Sequence, residues 1–182
     1  LPIVGLIPQT GTLKDSGRTV PEPAALEALS LARTNLRYLN VGGRVKTVIV
    51  TSALEAEGKS TVTWNLAIAA AMADQKVLLI DADLRRPVIA SRAGVAGGRG
   101  LSEVLAGIAA PSEVVVSTTA NVAGGEVHLD IVPAGLVPPS PIALFERAGT
   151  AELLDQLGEG YDLVFIDTPP ATVVADAKVI LS

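Results

Sequence analysis

Three aliphatic runs along this chain each stop abruptly at polar residues. Thr47-Val-Ile-Val50 leads into Thr51-Ser-Ala-Leu-Glu-Ala-Glu-Gly-Lys-Ser-Thr61. Val77-Leu-Leu-Ile80 leads into Asp81-Ala-Asp-Leu-Arg-Arg-Pro87, and Leu163-Val-Phe-Ile166 into Asp167-Thr-Pro-Pro170. Unbroken apolar runs of this length mark parallel strands buried on both faces. Ligands of open α/β sheets sit at the carboxyl ends of such strands. The polar groups that close the three runs suit phosphate and Mg²⁺.

The remaining pattern fills in the elements. Leu26, Leu29, Leu36 and Leu39 recur at helical spacing, so Pro23 to about Leu39 reads as an amphipathic helix, stopped by Gly42-Gly43. Val48–Val50 is the first core strand, Lys59 to about Ala73 a helix of good helix formers, and Lys76–Ile80 the second strand. Residues 84–100, with a glycine cluster from Gly94 to Gly100, read as a mobile loop region. Leu101–Leu105 is a short helix and His128–Val132 a strand ending at Pro133-Ala-Gly135. Val137–Pro141 is a loop that enters one or two helices running to about Leu157. Leu163–Ile166 is the third strand, and a further helix begins in Asp176–Leu181. Strand and helix alternate, which predicts an α/β domain, a parallel sheet with helices on both faces; with Gly58-Lys-Ser-Thr61 opening a helix after the first strand, it reads as P-loop NTPase-like. Residues 1–22 are expected to be an arm or linker and 23–182 the domain, incomplete at its C-terminus.

Composition narrows the class. The chain has 182 residues, 49% of them hydrophobic, with a net charge of −5 and no cysteine. Its mean hydropathy of +0.46 is high, yet no apolar run nears the roughly 18 residues of a membrane span. The negative charge and the lack of a basic stripe argue against nucleic acid as a partner. Without cysteine there are no disulfides, thiolate zinc sites or cysteine-held iron–sulfur clusters. Leu1-Pro-Ile-Val-Gly-Leu-Ile-Pro8 lacks the basic flank of a signal peptide and reads as the entry from something upstream.

Gly58-Lys-Ser-Thr61 follows a strand and opens a helix, the context a phosphate loop requires. Backbone N–H groups of residues 56–61 (Ala56, Glu57, Gly58, Lys59, Ser60 and Thr61) would converge on phosphate at the helix start. Lys59 would bridge the β- and γ-phosphates, Ser60 ligate Mg²⁺ and Thr61 reach the α-phosphate. Ala53 stands where the strict motif has its first glycine. Of Asp81 and Asp83, one can hold a metal-bound water while the other faces an acceptor hydroxyl. Arg85 and Arg86 can steady phosphate charge or meet a neighbouring subunit. Asp167 ends its strand as a Walker-B carboxylate does, beside a turn stiffened by two prolines. Packing or surface positions are expected for His128, Trp64 and Tyr161, and a cap at Asp176. Tyr38 is a weak candidate phosphoacceptor, and Pro139–Pro141 can border an adenine site.

Together these segments resemble the bacterial tyrosine kinases (BY-kinases) attached to polysaccharide chain-length regulators. The resemblance includes the Leu1–Pro8 opening, Glu27–Leu39 with Arg33-Thr-Asn-Leu36, Leu101–Leu105 and Val132-Pro-Ala-Gly-Leu-Val-Pro-Pro139. It implies ATP-dependent autophosphorylation on tyrosine, with ATP/ADP and Mg²⁺ as cofactors. It implies Asp81 as the base for the acceptor hydroxyl, Asp83 and Asp167 near Mg²⁺, and catalytic contributions from Lys59 and Arg85. It also implies a homo-oligomeric ring contacted through the Glu27–Arg33 helix. The expected partner is a membrane-embedded polysaccharide co-polymerase, fused upstream or separate, at the cytoplasmic face of the inner or plasma membrane.

Departures from that family are specific. Its phosphate loop usually reads Pro-Gly-Glu-Gly-Lys; here Glu55-Ala-Glu-Gly-Lys59 replaces it. A positive φ at Ala56 would cost roughly 1 kcal/mol or more. Ser30 takes the middle arginine of the family's Glu-x-x-Arg-x-x-Arg interface pattern, and the tyrosines number only two, Tyr38 and Tyr161. Two alternatives follow: a nucleotide-binding scaffold without kinase activity, or a MinD/ParA-like ATPase. The latter carries a second lysine where this chain has Leu54.

Overall fold

The computed structural model describes residues 3–9, 11, 22–39 and 46–171, with side chains 37–39 excepted. In order come α1 (Pro23–Leu39), β1 (Thr47–Val50), α2 (Lys59–Ala71), β2 (Val77–Asp81), α3 (Ile89–Ala93) and α4 (Leu101–Leu105). They are followed by β3 (Val116–Val122), β4 (Gly125–Val132), α5 (Pro141–Phe145), α6 (Thr150–Gly158) and β5 (Leu163–Asp167). The helix proposed for Asp176–Leu181 lies outside the described residues, as does the side chain of Tyr38.

The strands form one sheet in the order β1-β5-β2-β4-β3. The first four are parallel, and β3 closes the far edge antiparallel to β4. The predicted fold class is therefore the observed one. Period-two alternation explains why β2 and β5 read as unbroken apolar runs. Val77 and Leu79 of β2, with Leu163 and Phe165 of β5, face one core under α2 and α1. Leu78 and Ile80, with Val164 and Ile166, face a second core built with Leu101, Val104, Phe145 and Leu157. Helices on both faces take every second side chain out of water.

On the first face α2 is squeezed between the sheet and α1, so Thr63 through Ala70 are all buried. Trp64 is fully buried there, a packing residue as expected. Leu29 anchors α1 over it with no exposure. Residues 3–9 run along α1: Asn35 Nδ2 donates to the Val4 carbonyl at 2.8 Å, and Ile7 joins the first core. A Cβ on Gly5 would stand 2.9 Å from that of Ala32, so this close approach needs glycine.

Three expectations need correction. Among the described residues β1 is an edge strand, half-buried rather than central, because β5 inserts between it and β2. The expected strand His128–Val132 is the second half of a hairpin whose first arm, β3, carried a missed signal. Its alternating burial and the Gly124-Gly125 turn are what a β-hairpin requires. Finally, residues 84–100 include the helical turn α3, whose first N–H groups meet a buried carboxylate. The stretch proposed as one or two helices to Leu157 proves to be two. His128 is exposed on β4.

Truncating Leu29 to Ala should destabilise the protein by about 2–5 kcal/mol, because its pocket between α1 and α2 cannot fully collapse. Leu31→Ala, on the same helix but 57% exposed, should cost less than about 0.5 kcal/mol. Urea denaturation of both variants checks the packing of α1.

Candidate nucleotide site

Register decides where the site lies. Asp81 pairs with Asp167 across β2 and β5, and Val50 pairs with Asp167 across β1 and β5, so three strand ends finish level. Hydrogen bonds beyond the sheet keep them together. Ala82 N donates to the Asp167 carbonyl at 2.8 Å and Thr168 N to that of Val50 at 3.0 Å. Thr51 Oγ1 donates to the Pro169 carbonyl at 3.0 Å.

The loop after β1 turns onto α2 through two left-handed residues, Ala56 at φ 60° and Gly58 at φ 90°. Glycine takes this conformation without penalty, whereas alanine is strained. The cost foreseen at Ala56 is therefore real in the folded loop. Glu57 steadies the turn by accepting from Leu54 N at 2.9 Å.

A cleft of about 550 Å³ opens above, lined by Glu55, Ala56, Lys59, Ser60, Asp83, Arg85, Arg86, Val88, Pro169 and Pro170. Lys59 Nζ pairs with Asp83 Oδ2 at 2.8 Å, stands 3.9 Å from Asp167 Oδ2 and donates to Ser60 Oγ at 3.3 Å. Of the residues expected to hold phosphate and metal, Lys59, Ser60, Asp83 and Asp167 thus meet at one place, while Glu57, Gly58 and Thr61 are not among those lining the cleft. Asp167 lies fully buried beneath the cleft. Burial pushes its carboxyl above the ordinary range, against the pull of Lys59. Thr63 Oγ1 donates to the Lys59 carbonyl at 2.8 Å and stands 3.3 Å from Asp167 Oδ1. Among the described residues Asp167 Oδ2 accepts no hydrogen bond.

The aspartates at 81 and 83 are separated by the turn. Asp83 faces the cleft and Lys59, while its Oδ1 accepts from Arg86 N at 3.0 Å. Asp81 is fully buried and does not line the cleft. Its Oδ2 accepts from Val88 N at 3.1 Å and Ile89 N at 3.0 Å, and its Oδ1 from Asp83 N at 3.2 Å. It orders the turn and the start of α3. Burial pushes its carboxyl up to about 7; the Ile89 N–H opposes that rise and the nearby Asp167 adds to it.

Two contacts escaped the sequence reading. Arg92 Nη2 of α3 donates to Thr61 Oγ1 at 2.6 Å, and Arg86 Nη1 donates to Glu55 Oε2 across the cleft mouth. Nothing local signals either, since each joins residues 31 apart. Thr63 was legible in principle, one helical turn after Lys59 on the same face. Tyr161, at the far end of β5 from Asp167, is tied to Asp130 by a 2.8 Å bond from its hydroxyl. Burial and that bond raise its pKa, so it is a packing residue as expected.

A buried carboxylate oxygen without a donor, a second carboxylate and a serine hydroxyl form a donor set that fits Mg²⁺, which takes few protein ligands and keeps waters and phosphates. Among the described residues no group of three acids or histidines could hold a metal unaided. The level strand ends, phosphate loop and paired aspartates define the class as a P-loop NTPase domain.

Comparison with known proteins agrees. Residues 46–181 match the AAA domain family. The chain is 37% identical to tyrosine-protein kinase YwqD of Bacillus subtilis over 162 residues, 89% of this chain and 66% of that protein. It is equally similar to tyrosine-protein kinase etk of Escherichia coli, covering 88% of this chain but only 21% of that longer protein. The kinase domain of Etk superposes with a TM-score of 0.82 at 34% identity, over 98% of this chain and 72% of the domain. The septum site-determining protein MinD of Pyrococcus horikoshii, solved with Mg-ADP, is more distant, with a TM-score of 0.62 and 27% identity over 75% of this chain and 54% of its own. The chain belongs to the AAA domain family and, within it, to the bacterial tyrosine kinases. It spans about two thirds of YwqD and a fifth of Etk. Among the described residues, no helix is long and apolar enough to cross a membrane.

Two measurements test this geometry. Carboxyl NMR should find Asp81 titrating near 7. Between about pH 4 and 7 the native state then holds a proton that the unfolded chain lacks. This contribution to stability is complete below pH 4 and disappears as pH rises through 7. Asp81→Asn should flatten that fall; an Asp81 midpoint near 4 would refute it. Ala56→Gly should stabilise the protein by roughly 0.5–1 kcal/mol, because relieved left-handed strain exceeds the added unfolded-state entropy. Thermal denaturation reads it directly.

Proposed function

We propose that this domain binds Mg-ATP and transfers its γ-phosphoryl group to tyrosine hydroxyls, acting as a bacterial tyrosine autokinase that regulates polysaccharide synthesis or export. The observation that carries the reading is the convergence of Lys59, Ser60, Asp83 and the Asp167 oxygen that accepts no hydrogen bond among the described residues, at the level ends of β1, β2 and β5. When bound, ATP would supply the phosphoryl group, and Mg²⁺ the positive charge that Asp83 and Asp167 lose as Lys59 turns to phosphate. Lys59 releases Asp83 and holds phosphate oxygens as a compact cation. Ser60, Asp83 and Asp167 would hold the metal, and the N–H groups at the start of α2 would orient the phosphates. Asp81 holds the turn that aims Asp83. Arg85 lines the cleft, where its charge supports the transferred group.

The acceptor must reach this cleft from elsewhere, because Tyr161 is bonded at the opposite end of its strand. A second copy of the chain, or a tyrosine-bearing segment outside the described residues, meets that need. We assign α1, with Glu27 and Arg33, as the surface for self-association, and a membrane-embedded polysaccharide co-polymerase as the partner. The site would then work at the cytoplasmic face of the membrane.

A second reading keeps nucleotide binding without phosphoryl transfer. The strained Ala56 and the acidic Glu55 on the phosphate loop favour it.

Incubation of the full-length protein with Mg-ATP should label it on tyrosine. Lys59→Met should abolish that label and weaken ADP binding by about ten- to a hundredfold, the worth of one charged hydrogen bond. Calorimetry showing tight nucleotide binding with no phosphotyrosine would instead establish the scaffold.

A further inference from the structure

We propose that Glu55 sets the nucleotide affinity of this cleft by holding Arg86 across its mouth. The inference rests on the nucleotide reading above and concerns a residue that departs from the family's usual loop.

Arg86 Nη1 donates to Glu55 Oε2, joining the phosphate loop to the turn after β2. Both side chains line the cleft and are exposed, so the contact lies at its solvent-facing rim. An exposed ion pair usually does little, because two long side chains must be ordered in water. Here the backbone at each end is already fixed. Arg86 N donates to Asp83 Oδ1 at 3.0 Å. On the other side, Leu54 N donates to Glu57 Oε2 at 2.9 Å and Ser52 Oγ to the Leu54 carbonyl at 2.7 Å. Closing the pair then orders two exposed side chains, Arg86 at 72% and Glu55 at 45%, without further ordering of the backbone that carries them.

A guanidinium fork is well matched to phosphate oxygens. While Glu55 occupies Arg86, that fork is neutralised, and an incoming phosphate competes with a carboxylate of the loop that receives it. Lys59 is held in the same way by Asp83, but that bond opens when metal takes the aspartate. Glu55 has no such exchange partner: it lines the open end of the cleft and is 45% exposed. Arg86 is thus restrained by a charge that nucleotide binding does not neutralise. The consequence is a weaker hold on both ATP and ADP than the cleft's cations would otherwise provide.

The test is calorimetric titration of Mg-ADP into wild type, Glu55→Gln, Arg86→Gln and the double variant at one ionic strength. Glu55→Gln should tighten binding roughly fivefold, the reach of one exposed pair. In the Arg86→Gln background the same substitution should change nothing, since its effect passes through Arg86. An unchanged dissociation constant for Glu55→Gln would overturn the proposal. So would equal tightening in both backgrounds, which would mean that Glu55 repels phosphate directly. Either result leaves the nucleotide reading intact. Failure of all four proteins to bind Mg-ADP would overturn that reading and the proposal together.

Discussion

Two carboxylates, Asp81 and Asp167, are paired across adjacent strands with no exposure to water, and the whole site is organised around that cost. Buried charges persist only when paired or hydrogen-bonded. The two aspartates solve the problem differently. Asp81 takes three backbone N–H groups, and in doing so folds the following turn and starts α3. Asp167 has Lys59 at 3.9 Å and Thr63 at its other oxygen, and keeps one oxygen without a donor. That incomplete satisfaction is chemically informative. A fully bonded carboxylate is structural, whereas a buried one left open is a place for a cation.

The same economy explains the helix that carries the phosphate loop. α2 is buried along eight successive residues, Thr63 to Ala70, because it lies between the sheet and α1, and this run anchors the half-buried turn that begins it. A rigid helix start is what phosphate recognition by backbone N–H groups needs. The strain at Ala56 sits in an exposed loop that hydrogen bonds from Ser52 Oγ to the Leu54 carbonyl and from Leu54 N to Glu57 Oε2 hold in place. Stability made in the core is spent at the cleft.

Relatives named as kinases and a MinD solved with Mg-ADP share this framework, so the framework does not choose among chemistries. The choice lies in the residues around the cleft. Leu54, 60% exposed where MinD-like ATPases carry a second lysine, sets this chain apart from them. Glu55 and Ala56 set it apart from the usual loop of its own family.

The nature of the site was legible because its parts are local. A strand, a glycine, a lysine and a helix start are contiguous in Thr47–Thr61, and each aspartate directly ends an apolar run. The helix Pro23–Leu39 could likewise be read from its leucine spacing. Strand order was not legible, since β5 comes last in the described chain yet lies between β1 and β2. Nor was the division of labour between Asp81 and Asp83, for two residues a fixed step apart can be turned in different directions by the loop that follows. Local pattern specifies which groups are available. Only long-range register and turn geometry, acting between segments far apart in the chain, decide which of them meet.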